Sequence, residues 1–173
     1  MDFSALVRER YSVRSFSERP VSREQILALL EEARFAPTAV NYQPQRYLVL
    51  STPESMEKLA RCTKYTFHAP AAIIVCAEPS SAWVRPYDQD NAAVVDASIA
   101  ATHLMLAIHD AGLGTTWVGH FDPAALREAF ALPDGLVPVA VFPLGWPAEN
   151  CKPSPKHAQR RTVEEITAWE TFA

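Results

Sequence analysis

A chain of 173 residues and 19.2 kDa fits one domain, residues 1–173, since domains usually run about 100–200 residues. With 49% apolar and 21% charged residues it sits near average globular usage, which excludes disorder as a reading of the whole chain. Sixteen basic against 20 acidic residues leave a net charge of −4, the wrong sign for a sequence-independent nucleic-acid binder.

From the N-terminus, residues 2–10 place Phe3, Leu6, Val7 and Arg10 at helical spacing. The N-terminal residues lack a basic stretch followed by an apolar run, so no signal peptide is expected. The segment 10–16 (RYSVRSF) breaks the period. A second helix is predicted from Ser22, with Ser22 and Gln25 forming a capping box and Ile26, Leu29, Leu30 and Ala33 on one face. It should stop before Pro37. Residues 38–45 read as a polar loop and Tyr47–Ser51 as a strand. Thr52 then caps a helix that opens on Pro53. Ala71–Ala77 is a continuous apolar run, the pattern of a buried strand.

The loop 78–90 precedes the longest helical signal, 91–111. Between Ala92 and Ile108 its one formal charge is Asp96, so this helix should be covered on most sides, by core or by a second copy of the chain. A membrane span needs about 20 apolar residues, and this run is shorter. Gly112 and Gly114 can end it through positive φ. Thr115–Val118 reads as a strand, Asp122 as the cap of a short helix opening on Pro123, and Val137–Phe142 as a further strand. Residues 146–161, rich in proline and basic side chains, read as an extended arm, followed by a short helix or turn over 163–171. Strands alternating with helices predict an α/β or α+β sandwich.

Several groups could carry chemistry. Arg10, Ser12 and Arg14 alternate, and in extended chain alternate side chains point the same way. They form either a phosphate-binding cluster of forked donors or a solvated basic turn. Asn41 and Gln43, with Thr38, could meet the edge of a heterocycle or form a turn before proline. In 112–121 (GLGTTWVGHF), Gly119 could admit a ligand close to the backbone or end a strand. Asp88, Asp90 and Asp96 read as solvated or capping carboxylates. The five histidines lack ligand spacing, so no metal is expected. Cys62, Cys76 and Cys151 form no CxxC pair and no disulfide framework, which suits a reducing, cytoplasmic compartment.

Four segments in order resemble the FMN-dependent nitroreductase family across essentially the whole chain. RERYSVRSF (8–16) is similar to that family's Arg-x-Ser-x-Arg-x-Phe motif. ARFAPTAVNYQPQRYLVL (33–50) resembles its Ala-Pro-Ser/Thr-x-x-Asn-x-Gln-Pro motif and following strand. DASIAATHLMLAIHDAGLGTTWVG (96–119) resembles its central helix and Gly-Leu-Gly turn. VFPLGWPAE (141–149) resembles its Leu-Gly-Tyr-Pro turn, with Trp146 in the tyrosine place.

The resemblance implies an α+β sandwich with a small, mostly antiparallel sheet between helices, a domain-sharing homodimer with an extended C-terminal arm, and two FMN sites lined by both chains. Arg10 would bind the phosphate beside the Tyr11 and Ser12 backbone. Arg14 would meet the pyrimidine edge and stabilise charge on the reduced ring, the one catalytic role assigned. Thr38, Ala39 and Asn41 would come from the partner chain, and Trp117, Val118 and Gly119 would lie along the ring. On the arm, Arg160 keeps the family's arginine place, whereas Ala158 stands where the family has lysine, for which Lys156 is a substitute. The implied activity is ping-pong reduction of nitroaromatics, quinones or related small acceptors by NADH or NADPH, with hydride passing through flavin N5. The alternatives are another flavoenzyme activity on this fold (dehydrogenase, dehalogenase or flavin modification) or a flavin-binding regulatory protein without turnover. The chain lacks the long insertion of larger members, so the substrate channel should be more open, or be built from loop 80–90.

Overall fold

The computed structural model describes residues 2–172. It begins with α1 (Phe3–Glu9), capped by the Asp2 carboxylate, and α2 (Arg23–Ala33), whose Ser22–Gln25 capping box forms as the spacing predicts. A 3-10 turn at Ala39–Asn41 leads into β1 (Gln45–Leu50), which starts two residues earlier than expected. Thr52 and Ser55 cap α3 (Pro53–Cys62), and β2 (Ala71–Ala77) is buried along its whole length. The long helix α4 (Ala93–Asp110) is followed by β3 (Gly114–Thr115), α5 (Pro123–Phe130) capped by Asp122, and β4 (Val137–Gly145). The arm contains two further 3-10 turns, Pro155–Ala158 and Glu164–Ile166, the second replacing the helix or turn expected over 163–171.

The four strands form one sheet in the order β1-β2-β4-β3, and every pairing is antiparallel. Because side chains alternate across a strand, β2 serves two layers. Ile73 and Val75 face α2 and α4, packing with Leu29, Leu104, Ile108 and Phe142. Ile74 and Cys76 face α3 and α5, packing with Leu59, Leu126 and Val141. The sheet is therefore the middle layer of an α+β sandwich. Truncating a side chain such as Leu104, wholly buried, should cost about 2–5 kcal/mol.

Two readings change here. The strand expected over 115–118 is cut to two residues, with Val118 returning to pair with Val141 as an isolated bridge. The register is continuous, since Thr115 faces Leu144 and Val118 faces Val141, so Thr116 stands opposite Pro143. Proline has no N–H to donate, and the ladder opens there. Gly112 has the positive φ expected of a helix stop, at 74°, but Gly114 does not. Gly114 is needed for room: a Cβ there would stand 2.7 Å from Val13 Cγ2.

The core covers the long helix on one side only. It buries one face, through Ala93, Asp96, Ala97, Ala100, Ala101, Leu104 and Ile108, while Val94 and Val95 remain 46% and 58% exposed in the single chain. Among the described residues no helix is long and apolar enough to cross a membrane.

Candidate functional site

The chain leaves α1 at Arg10 and runs extended alongside the sheet. Val13, fully buried, donates its N–H to the Thr115 carbonyl at 2.9 Å. Ser17 N–H donates to the Trp146 carbonyl, and Ala148 N–H to that of Ser15. The segment is thus a strap pinned to β3 and to the exit of β4, and neighbours of the inward-facing Val13 point outward.

The outward side chains do not converge on one spot as alternation suggested; they divide into two ends. At one end, Arg10 is half-buried against α4, its Nη1 3.8 Å from Met105 Sδ. Arg160 lies close by. Burial first, and then the Arg160 charge, push the Arg10 guanidinium below its ordinary proton affinity. The arm reaches this place through His157, whose Nε2 is 3.0 Å from the Arg8 carbonyl and whose ring meets Tyr11 edge-on. Arg160 donates to the carbonyls of His157 and Gln159. Tyr11 donates its hydroxyl to the Cys151 carbonyl, and burial raises its phenol. Lys156 and Ala158 are both exposed.

At the other end, Arg14 is exposed, with Nη1 3.4 Å from the Ser12 carbonyl. It stands over a cavity of about 270 Å³ lined by Tyr65, Phe67, Thr116, Trp117, Val118, Gly119 and His120. Trp117 packs edge-on against Phe142, with centroids 5.3 Å apart. A Cβ on Gly119 would meet nothing closer than Trp117 Nε1 at 4.0 Å, so the open space there is room for a guest. Ser12 and Arg14 also border a polar hollow of about 340 Å³ with Lys152 and Ser154. Along an extended strap, Arg10 and Arg14 are separated by roughly 13 Å.

Thr38, Ala39 and Asn41 lie elsewhere in the same chain. Their loop is tied to the start of α4, where the Ala39 N–H donates to Asp96 Oδ1 at 3.0 Å. Met105 and Asp96 are nine residues apart on α4, about 13 Å along its axis. None of the three lines the cavity under Arg14. Asp96, read from sequence as a solvated or capping carboxylate, is not solvated: it is 2% exposed. Asp88 and Asp90 are exposed and pair with Arg85.

Four wall residues escaped the sequence reading: Tyr65, Phe67, Thr116 and His120. Thr63 Oγ1 donates to the His120 carbonyl at 2.6 Å and accepts from Tyr65 N–H, which joins the two loops. The rings of Tyr65 and His120 then meet edge-on, centroids 5.2 Å apart. The alternate aromatics of Tyr65 and Phe67 were the available signal. Of the two expectations for the channel, more open or built from loop 80–90, the second finds no support within the chain: the loop closes on itself through Arg85 and contributes no residue to this cavity. Among the described residues no group of three or more His, Cys, Asp or Glu side chains could hold a metal.

A sequence model of the nitroreductase family matches residues 7–64 and 61–146. The chain is 34% identical, over 87% of its length and 80% of the relative's, to a Methanothermobacter thermautotrophicus protein provisionally named NADH dehydrogenase/NAD(P)H nitroreductase. A crystal structure of a nitroreductase family protein from Clostridium difficile 630 superposes with a TM-score of 0.91 at 36% identity, covering 99% of each chain. An Exiguobacterium sibiricum 255-15 protein, provisionally a nitroreductase and solved in complex with FMN, shares the fold with a TM-score of 0.85 at 24% identity, covering 98% of each chain. Fold and site define an α+β protein with a cationic end and an aromatic end. The chain belongs to the nitroreductase family.

Proposed function

We propose that this protein is an FMN-dependent oxidoreductase that uses NADH or NADPH to reduce nitroaromatic, quinone or related small acceptors in a ping-pong cycle. One observation carries the reading: two mutually repelling guanidinium groups, Arg10 and Arg160, stand roughly 13 Å along an extended strap from a third, Arg14, over an aromatic cavity. The spacing fits a mononucleotide whose phosphate and flat ring are joined by a ribityl chain. The relatives' names, NAD(P)H nitroreductase and FMN reductase (NAD(P)H), support the same activity.

In this reading Arg10 and Arg160 bind the phosphate, with Tyr11 and Ser12 alongside. Trp117, Val118 and Gly119 form the wall along the ring, and Gly119 supplies the clearance. Arg14 meets the pyrimidine edge and stabilises negative charge there without reorganising. Bound FMN would supply the hydride chemistry, so the chain needs no acid–base dyad of its own. Thr38, Ala39 and Asn41 serve the site of a partner chain in a homodimer. The exposed Val94 and Val95 of α4, and Val163, Ile166 and Trp169 of the arm, support such a second copy. The free thiols of Cys62, Cys76 and Cys151 suit a cytoplasmic setting.

The test is direct. The purified protein should show flavin absorption, release FMN on heating, and oxidise NADH or NADPH when given a nitroaromatic or a quinone. Released FAD, or no flavin after reconstitution, would overturn the cofactor. Bound FMN without turnover would favour the regulatory alternative.

A further inference from the structure

Loop 38–43 holds an unusual backbone. Val40, Asn41 and Gln43 all have positive φ, at 53°, 57° and 53°. For a β-branched residue such as Val40 this is a marked outlier. Such conformations persist only where surrounding contacts over-determine them. Two contacts do so. Thr38 Oγ1 accepts the Gln43 N–H at 3.0 Å, closing the loop on itself. Asp96 Oδ1 accepts the Ala39 N–H, also at 3.0 Å, fixing the loop to the first turn of α4. The carboxylate is 2% exposed, and its Oδ2 has no hydrogen-bond partner among the described residues. A buried carboxylate with one oxygen unspent is costly for stability alone. Its place is explained by what its other oxygen holds.

We propose that Asp96 is a positioning residue: its buried carboxylate sets the strained conformation of loop 38–43, and so presents Thr38, Ala39 and Asn41 to the flavin. The flavin half of this statement rests on the proposed function; the loop half does not. Asparagine can keep the acceptor at Oδ1, whereas alanine cannot. Replacing Ala39 by proline deletes the donor instead. Thr38, at φ −134° and ψ 157°, already has the extended backbone that a following proline requires.

The experiment compares D96A, D96N and A39P with the wild type in two measurements. Amide exchange in FMN-free protein reports on residues 39–43, and quenching of FMN fluorescence reports affinity. D96A should speed exchange at Ala39 and weaken FMN binding, each by about tenfold or more, as for losing a hydrogen bond to a charged group. A39P should weaken FMN to a similar degree. D96N should keep both properties near wild type. Since D96A and D96N both remove the buried charge, a purely structural role would move them together. D96N as weak as D96A, or A39P binding as tightly as wild type, would overturn the proposal. If the wild type took up no FMN, the functional reading would fall. Unchanged exchange in D96A would then still sink the role of Asp96, and faster exchange rescued by D96N would uphold its hold on the loop. Should D96A not fold, D96N and A39P decide the matter.

Discussion

Arg10, at the exit of α1, and Arg160, on the C-terminal arm, are held close enough that the Arg160 charge adds to burial in lowering the proton affinity of Arg10. Folding brings two cations together, and a shared anion would relieve the repulsion. Arg10→Ala should therefore weaken FMN binding by about 10- to 150-fold, equivalent to about 1.5–3 kcal/mol for a lost charged contact. The thermal midpoint of the FMN-free protein should hold or rise. Fluorescence titration and calorimetry measure the two; unchanged FMN affinity would move the phosphate elsewhere.

Arg14 meets no carboxylate among the described residues and faces the aromatic cavity. Arg14→Gln should leave most FMN bound but shift the two-electron potential negative by about 30–60 mV, a loss of about 1.4–2.8 kcal/mol. Hydride transfer from NAD(P)H should slow with it. A spectroelectrochemical titration of both proteins decides: an unchanged potential with FMN affinity lost would place Arg14 at the phosphate.

Sedimentation should give a mass about twice 19.2 kDa. If each site takes Arg10 from one chain and Asn41 from the other, a mixed dimer of Arg10→Ala and Asn41→Ala chains has one intact site and one doubly impaired. Its titration should show a tight phase with wild-type affinity. Two singly impaired sites with no tight phase would mean that each chain builds its own.

Gly114 lies against Val13, the residue between Ser12 and Arg14. A Cβ there would come within 2.7–2.8 Å of three Val13 atoms. Gly114→Ala should destabilise the fold by about 1–3 kcal/mol through overpacking. It should also loosen FMN binding, because Val13 anchors the strap through Thr115. Paired denaturation and binding curves test the coupling; lost stability with unaltered affinity would separate Val13 from the site.

Burial holds the Tyr47 phenol neutral up to about 12, against an ordinary value of 10. Between those values the unfolded chain has released the proton and the folded chain has not. Stability present below pH 10 is therefore lost as pH rises toward 12, by on the order of 2 kcal/mol. Cys76, raised to about 11 by burial, acts with the same sign from pH 9. The difference between wild type and Tyr47→Phe isolates the tyrosine. Because Tyr47 Oη is buried without a partner, the phenylalanine variant should also be more stable at neutral pH, by about 1 kcal/mol. Parallel pH profiles for the two proteins would contradict this.

Much of the fold was legible because its signals are local. The caps at Ser22, Thr52 and Asp122 act within three residues, and Ala71–Ala77 is a strand by its own composition. What sequence could not show depends on distant partners. Thr115–Val118 reads as a strand, but its ladder is broken by Pro143 on another strand. Asp96 reads as a solvated or capping carboxylate, and its burial against the Ala39 N–H depends on a loop 57 residues away. Tyr65 and Phe67 join the cavity wall because Thr63 binds the His120 carbonyl, a contact with no sequence signature. Arg10, Ser12 and Arg14 were visible as a motif, but their division between two ends was set by Met105, Arg160 and Val13.

The interruption at Pro143 has a bearing on solubility. β3 is the outer strand of the sheet, and a long open edge invites another chain to add to it. Here the edge is only Gly114 and Thr115 long before the backbone turns toward the cavity, and the Thr115 carbonyl already accepts the Val13 N–H of the strap at 2.9 Å. A proline that prevents the sheet from completing itself, with a strap laid over the short edge that remains, thus denies an aggregating neighbour a continuous template.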